Sequence, residues 1–242
     1  MMKKALFLII LVILPVYANA EDYPPFLNVN AVPDAVKFLP PPPEQNSPMY
    51  YCDWNMYLWG KTLRMSTRGN LAKQDAKADN EAIANVFSEP LGIELSEQKT
   101  PKIIELMART SDSIMLAIKG PKKYHQRTRP YAQFNEKSLL PEEEASHNPK
   151  ASYPSGHAAI GWGIALLLSE ISPEAQNELL KRGYEYGQSR IIAGFHFQTD
   201  VDAGRLVASA TIARLHADAE FMSKLKSAKS EFNKRKKEQS QK

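Results

Sequence analysis

From Ser47 onward the apolar residues of this chain recur at helical spacing, and no stretch of several residues alternates cleanly enough to build a half-buried strand. Residues 49–63 carry Tyr50, Trp54, Tyr57, Leu58 and Leu63 at that spacing, and residues 101–118 carry Ile103, Met107, Ile114 and Ile118 on one helical face. Asn-Gly hairpin signals are missing as well. The predicted fold class is therefore all-α, a single-domain helical bundle. The 242 residues, 43% apolar and 24% charged, are enough for one substantial core.

The ends read differently from the middle. Lys3 and Lys4 precede an apolar run from Ala5 to Leu14, and Ala18-Asn19-Ala20 has the small-x-small pattern of a signal-peptidase site. Residues 1–20 are thus read as a cleavable export signal with a mature start at Glu21 and a periplasmic destination. A retained anchor would need a run of roughly 20 apolar residues, longer than this one. Residues 21–48, with Pro24, Pro25, Pro33 and the run Pro40 to Pro43, favour an extended polyproline arm over the domain. Residues 49–242 form the helical domain, whose basic last ten or so residues are expected to fray.

Charge narrows the choice of partner. Without Lys3 and Lys4 the chain carries 29 basic and 27 acidic residues, a net charge of +2, too evenly balanced for the dense basic face of a nucleic-acid binder. After signal cleavage no segment is long and apolar enough to span a membrane. Cys52 is the only cysteine, so no intramolecular disulfide can form. Its neighbours Tyr50, Tyr51 and Trp54 predict a buried or half-buried thiol.

Helix punctuation follows from capping residues. Gly120-Pro121 is read as ending the helix from Pro101, and residues 135–150, with Glu142 to Glu144, as a surface loop with one helical turn and a solvated acidic run. Ser155 caps a helix from His157 to about Glu170. Ser172 with Pro173 opens another, with Gly187 as its left-handed stop, and a further helix runs from about Phe197 to His216.

Three short segments concentrate unusual chemistry. The first holds Lys122 and Arg129 with Lys123 and Arg127 between them; alone, such a cluster is as readily a solvated face. The second, Pro154-Ser155-Gly156-His157, sets a hydroxyl, a glycine N–H open to a phosphate oxygen and an imidazole at a helix start, where free amides favour an anion. An ordinary N-cap with an incidental histidine has the same pattern. The third runs from Ser189 and Arg190 to His196 and Asp200; residues four apart at a helix start share a face, so the carboxylate can reach the ring. That pair suits a nucleophile with its orienting acid, a helical salt bridge, or, with His157, a transition-metal site. Lys122, Arg129 and Arg190 would repel a cation and suit a phosphoryl group.

Together the three segments resemble the soluble bacterial class A acid phosphatases of the phosphatidic acid phosphatase type 2 and vanadium haloperoxidase superfamily. That signature is K-x6-R-P, P-S-G-H and S-R-x5-H-x3-D, matched by Lys122, Arg129 and Pro130, by Pro154 to His157, and by Ser189, Arg190, His196 and Asp200. The chain departs in lacking cysteines near residues 135–150 and at Ala193. The resemblance implies the helical fold of that type, no cofactor and no metal, and defined roles. His196 is the nucleophile, Asp200 its orienter and His157 the acid, while Lys122, Arg129, Ser155, Gly156 and Arg190 hold the phosphoryl oxygens. Small phosphomonoesters, nucleotides among them, are the implied substrates, and homo-oligomers a family expectation. A nucleotide diphosphohydrolase, a vanadium haloperoxidase and a non-catalytic phosphate binder are the alternatives.

Overall fold

The computed structural model describes residues 23–241, so the export signal expected over residues 1–20 lies outside the described residues. The described residues contain no strand. In chain order their α-helices are α1 (Ala35–Phe38), α2 (Pro48–Thr62), α3 (Thr67–Gln74), α4 (Asn80–Leu91), α5 (Pro101–His125) and α6 (Pro130–Gln133), then α7 (Pro141–Glu144), α8 (Gly156–Ile171), α9 (Gln176–Ala193), α10 (Gln198–Leu215) and α11 (Ala219–Ser240). The fold is all-α, as the periodicity predicts.

α8 is the hub because its sequence leaves it no polar face: from Ala158 to Leu168 it has no charged side chain, and a helix apolar all round must be enclosed. Ile160, Ile164, Leu167, Leu168 and Ile171 are buried in one cluster with Ile103 and Met107 of α5, Leu179 of α9, Ile212 of α10 and Phe221 of α11. Glycines let these helices approach. A Cβ on Gly161 would stand 2.4 Å from the Tyr186 ring, one on Gly163 2.3 Å from Ile114, and one on Gly204 2.4 Å from the Ser155 carbonyl. The two α8 glycines, which cost helix stability, are therefore explained by packing.

Residues 23–47 lie on the domain. Arg109 of α5 donates to the Pro24 carbonyl at 2.7 Å and stacks over Phe26 at 4.0 Å, Leu27 is buried, and the Tyr153 hydroxyl donates to the Pro40 carbonyl at 2.5 Å. The polyproline expectation is interrupted by α1, which Asp34 caps.

Several boundaries differ from expectation. α5 runs through Gly120-Pro121 to His125, so Lys122 sits in its last turn. α9 runs through Gly187 to Ala193, because Gly187 serves packing: a Cβ there would lie 3.1 Å from Val201 and 3.2 Å from Ala158. The left-handed stop is Gly194, with φ of 84°. Cys52 is exposed, since α2 turns Asp53, Tyr57 and Gly60 inward instead. The basic end, expected to fray, is helical to Ser240: Phe232 is buried, and Arg235 ties to the Lys99 carbonyl at 2.7 Å and to Glu238 at 2.8 Å.

Candidate active site

The C-terminal cap of α9 builds one wall. The Gly194 N–H donates to the Ile191 carbonyl and the Phe195 and His196 N–H groups to that of Arg190, a Schellman-type closure that folds the chain back beside Arg190. The remaining end carbonyls are taken as well: Ile192 accepts from Arg64, Ala193 from the Leu139 N–H and Gly194 from the Tyr131 N–H. His196 is thereby fixed between the end of α9 and the start of α10. The second wall is the start of α8, where the Ser155 hydroxyl accepts from the Ala158 N–H, leaving Gly156 and His157 as first-turn amides with no intrahelical acceptor. The Ser155 N–H donates to the Asp200 carbonyl at 2.8 Å, which joins the two walls. The missing Cβ of Gly156 faces Met115, 3.2 Å away, so what this turn offers a ligand is its N–H groups.

The third wall comes from the last turn of α5 and from residues 148–152. The Lys122 ammonium donates to the Ala151 carbonyl, and Arg129 donates to the carbonyls of Asn148 at 3.0 Å and Phe195 at 3.1 Å. Arg190 is fully buried over the Phe195 ring at 4.5 Å, and none of its guanidinium nitrogens has a partner among the described residues. Carbonyls orient Lys122 and Arg129 without neutralising them, and none of the three cations forms an ion pair among the described residues. Burial, with Arg129 nearby, pulls Lys122 down to about 7, and burial pulls Arg190 down to about 10. Lys123 is exposed and takes no part.

Hydrogen-bond partners set the tautomers of both histidines. An Arg129 N–H lies 2.9 Å from Nε2 of His196, and because arginine only donates, Nε2 carries the lone pair and Nδ1 the proton. Nδ1 stands 3.6 Å from Oδ2 of Asp200, an ion-pair separation longer than a hydrogen bond. His157 is reversed. Its Nε2 lies 2.9 Å from the Ala76 carbonyl, which only accepts, so Nε2 carries the proton and Nδ1 is the basic atom. Burial pushes both rings well below the ordinary histidine value. Arg129, Lys122 and Arg190 add to the effect at His196, and Arg190 does so at His157, against the Ala76 carbonyl.

Supporting residues lie where no motif marks them. Asp200 accepts from Ser152 at 2.6 Å, from the Phe197 N–H at 2.8 Å and from Arg127 at 2.6 Å. Arg127 bridges on to buried Asp53 at 2.7 Å, and Asp53 also accepts from the Thr199 N–H at 2.9 Å and hydroxyl at 2.6 Å. Arg127 is thus a paired structural cation, unlike its neighbour Arg129. Asp53 had one signal in the sequence, a carboxylate on the Tyr50, Trp54, Tyr57 stripe of α2. His157, His196 and Asp200 do not make a metal-binding group, and no set of three or more His, Cys, Asp or Glu residues among the described residues does. No helix of the described residues is long and apolar enough to cross a membrane.

The family model of the PAP2 superfamily matches residues 106–221, a span that holds all three motif segments but not Asp53. The chain is 44% identical over 205 residues to a non-specific acid phosphatase of Providencia stuartii, covering 84% of this chain and 83% of that protein. It is 38% identical over 218 residues to a non-specific acid phosphatase of Salmonella typhimurium, covering 90% and 87%. With an acid phosphatase of Zymomonas mobilis it shares 32% identity over 219 residues, covering 90% and 83%.

Proposed function

Because the chain belongs to the non-specific acid phosphatases of the PAP2 superfamily and is an acid phosphatase acting on small phosphate esters, we propose that it hydrolyses phosphomonoesters broadly through a phosphohistidine on His196. One observation carries this reading: Lys122, Arg129 and Arg190 are cations held around one imidazole without carboxylate partners among the described residues, whereas Arg127 beside them is paired twice. Unneutralised buried charge is costly, and a phosphoryl group is the ligand that offsets it.

In the first step Nε2 of His196 attacks phosphorus as Arg129 redirects its N–H hydrogen bond from that nitrogen to a phosphoryl oxygen, keeping its proton. The P–O ester bond breaks, and a proton on Nδ1 of His157 passes to the leaving oxygen, releasing the alcohol. The ring now carries positive charge, which draws its Nδ1–H and Asp200 together from 3.6 Å. In the second step water attacks phosphorus, Nδ1 of His157 takes its proton, the P–N bond breaks and phosphate leaves. The first-turn amides of Gly156 and His157 and the hydroxyl of Ser155 hold phosphoryl oxygens throughout.

An acidic working range follows. Lys122, held near 7, completes its charge only as pH falls, and a phosphomonoester monoanion, with a second pKa of about 6, brings the proton that His157 needs. Recognition confined to the phosphoryl group favours a wide range of alcohols, nucleoside monophosphates included. Residues 1–20 would direct the protein to the periplasm, where N-terminal sequencing should begin at Glu21.

His196→Ala is expected to lower turnover by at least about 10⁴-fold with the fold intact, and to abolish the labelled phosphoenzyme trapped from wild type under alkaline denaturing conditions. EDTA should leave activity nearly unchanged and orthovanadate should inhibit. Wild-type-like turnover in His196→Ala would sink the mechanism.

A further inference from the structure

The structure assigns Asp75 as a positioning residue for His157: clamped by Arg182 and Ser189, it fixes the Ala76 carbonyl that holds Nε2 of the acid. The clamp is dense and buried. Asp75 is fully buried at the end of α3 and accepts from both terminal nitrogens of Arg182 and from the Ser189 hydroxyl at 2.5 Å. The Ser189 oxygen in turn accepts from Arg68 at 2.9 Å, and Arg68 donates to the Glu185 carbonyl at 2.7 Å. Donation runs from Arg68 to Ser189 to Asp75; the Ser189 hydroxyl also lies 3.1 Å from the Glu185 carbonyl, and its shorter bond is the one to Asp75.

The two residues after Asp75 touch the acid. The Ala76 carbonyl accepts from Nε2 of His157 at 2.9 Å, and the Lys77 carbonyl accepts from the Tyr186 hydroxyl at 3.0 Å. Tyr186 lies nearly parallel to the His157 ring, 21° between planes, and Gly161 leaves the space it occupies. Residues 75–77 therefore hold the edge of the imidazole and the group stacked on its face; the carboxylate of Asp75 is their polar anchor, and the buried Ala76 belongs to a cluster with Tyr131, Leu140, Ala193 and Phe195. Past α3 the Ala76 N–H keeps one turn bond to the Lys73 carbonyl at 3.3 Å, and residues 77 and 78 lie outside any helix. Without the clamp the carbonyl is free to shift, and Nδ1 with its proton moves away from the leaving oxygen. Misplacement of about 1 Å can cost about 10²-fold in a positioned proton transfer. The clamp also gives Ser189 a function, since its hydroxyl is directed at Asp75.

This inference rests on His157 being the acid, and the test separates the two ideas. A positioned acid matters most when the leaving oxygen is basic. Values of kcat/KM for p-nitrophenyl phosphate, whose leaving group departs readily, and for glycerol phosphate, whose alkoxide does not, are compared in wild type, His157→Ala, Asp75→Asn and Ser189→Ala. His157→Ala should lose far more on glycerol phosphate than on the aryl ester. Asp75→Asn should show the same split, smaller: about 10- to 100-fold on the alkyl ester and about 3-fold or less on the aryl ester, with inhibition by orthovanadate unchanged. Ser189→Ala removes only one bond to Asp75 and should split by a few-fold in the same sense, which keeps the test decisive should Asp75→Asn misfold. A split in His157→Ala with equal losses on both esters in the Asp75 and Ser189 variants overturns the positioning role alone. No split in His157→Ala overturns the acid assignment and this inference with it.

Discussion

The two histidines of the candidate site, His196 buried and His157 half-buried, are both lowered in basicity, yet they are supported in opposite ways. His196 faces a carboxylate at 3.6 Å, which Arg127 and Asp53 hold from behind. His157 faces a neutral carbonyl at 2.9 Å, that of Ala76, and the carboxylate bonded by Ser189 belongs to the preceding residue, Asp75. The difference suits the work each ring would do. A nucleophile that becomes positively charged gains from an adjacent carboxylate. An acid that must give its proton up would be hindered by one, because a contacting carboxylate favours the protonated ring. A carbonyl sets the tautomer while holding the proton less tightly.

The sharpest break of this contrast is Asp200→Asn. An amide can donate to Nδ1, which drives the ring proton to Nε2 and removes the attacking lone pair, so kcat/KM should fall by about 10³- to 10⁴-fold. The loss should be similar for aryl and alkyl esters, because attack rather than leaving-group departure is damaged. A loss confined to the alkyl ester would show that Asp200 serves proton delivery and would undo the contrast.

Arg127→Met comes next. It leaves Asp53 and Asp200 buried without their shared cation, a change that typically costs about 3 to 5 kcal/mol of stability. Through the loosened Asp200 it should also reduce kcat/KM by about 10- to 100-fold. Arg129→Met, a few ångströms from the same ring, should instead lose phosphate and vanadate binding with little loss of stability, since Arg129 has no carboxylate to abandon. Thermal unfolding of the two variants, with and without phosphate, checks this. Equal destabilisation by both would mean that paired and unpaired cations are not distinct classes here.

The ligand-facing half of the site was legible because it is written in side-chain types at short spacing: the cations, the Pro154 to His157 turn and the His196, Asp200 pair. Its support was not. Asp53 meets Arg127 across 74 positions and Asp75 meets Ser189 across 114, distances over which helical periodicity carries no information. The Ala76 carbonyl had no signal at all, since every residue has one. Glycine misled for a related reason. Gly187 inside α9 and Gly194 at its end are the same letter, and only the neighbours, Val201 and Ala158 against a φ of 84°, tell packing from termination. Gly120-Pro121 likewise looks like a stop, yet the helix carries Lys122 onward to the site. The region read as a surface loop, residues 135–150, and the residue after it orient the cations through backbone oxygens, those of Asn148 and Ala151.

The smallest expected effect is on stability, and it tests what the two rings share. Both have folded values below the unfolded value of about 6.5. Above that pH neither state binds the protons and the stability is fully present. As pH falls below it the unfolded chain takes up protons that the folded site refuses, so stability declines until the folded rings themselves titrate. For two such rings the slope approaches at most about 2.7 kcal/mol per pH unit. His125 and His147, also lowered by burial, act in the same direction, and His216, raised beside Glu170, opposes them. The site's share is isolated by comparing wild type with His157→Asn between pH 7 and 5.5, where the variant should lose Tm less steeply. Inorganic phosphate should flatten the wild-type curve, because an anion in the cradle restores the proton affinity that Lys122, Arg129 and Arg190 suppress. A wild-type Tm that is flat across this range and indifferent to phosphate would show that neither burial nor the cations hold the rings below their unfolded value.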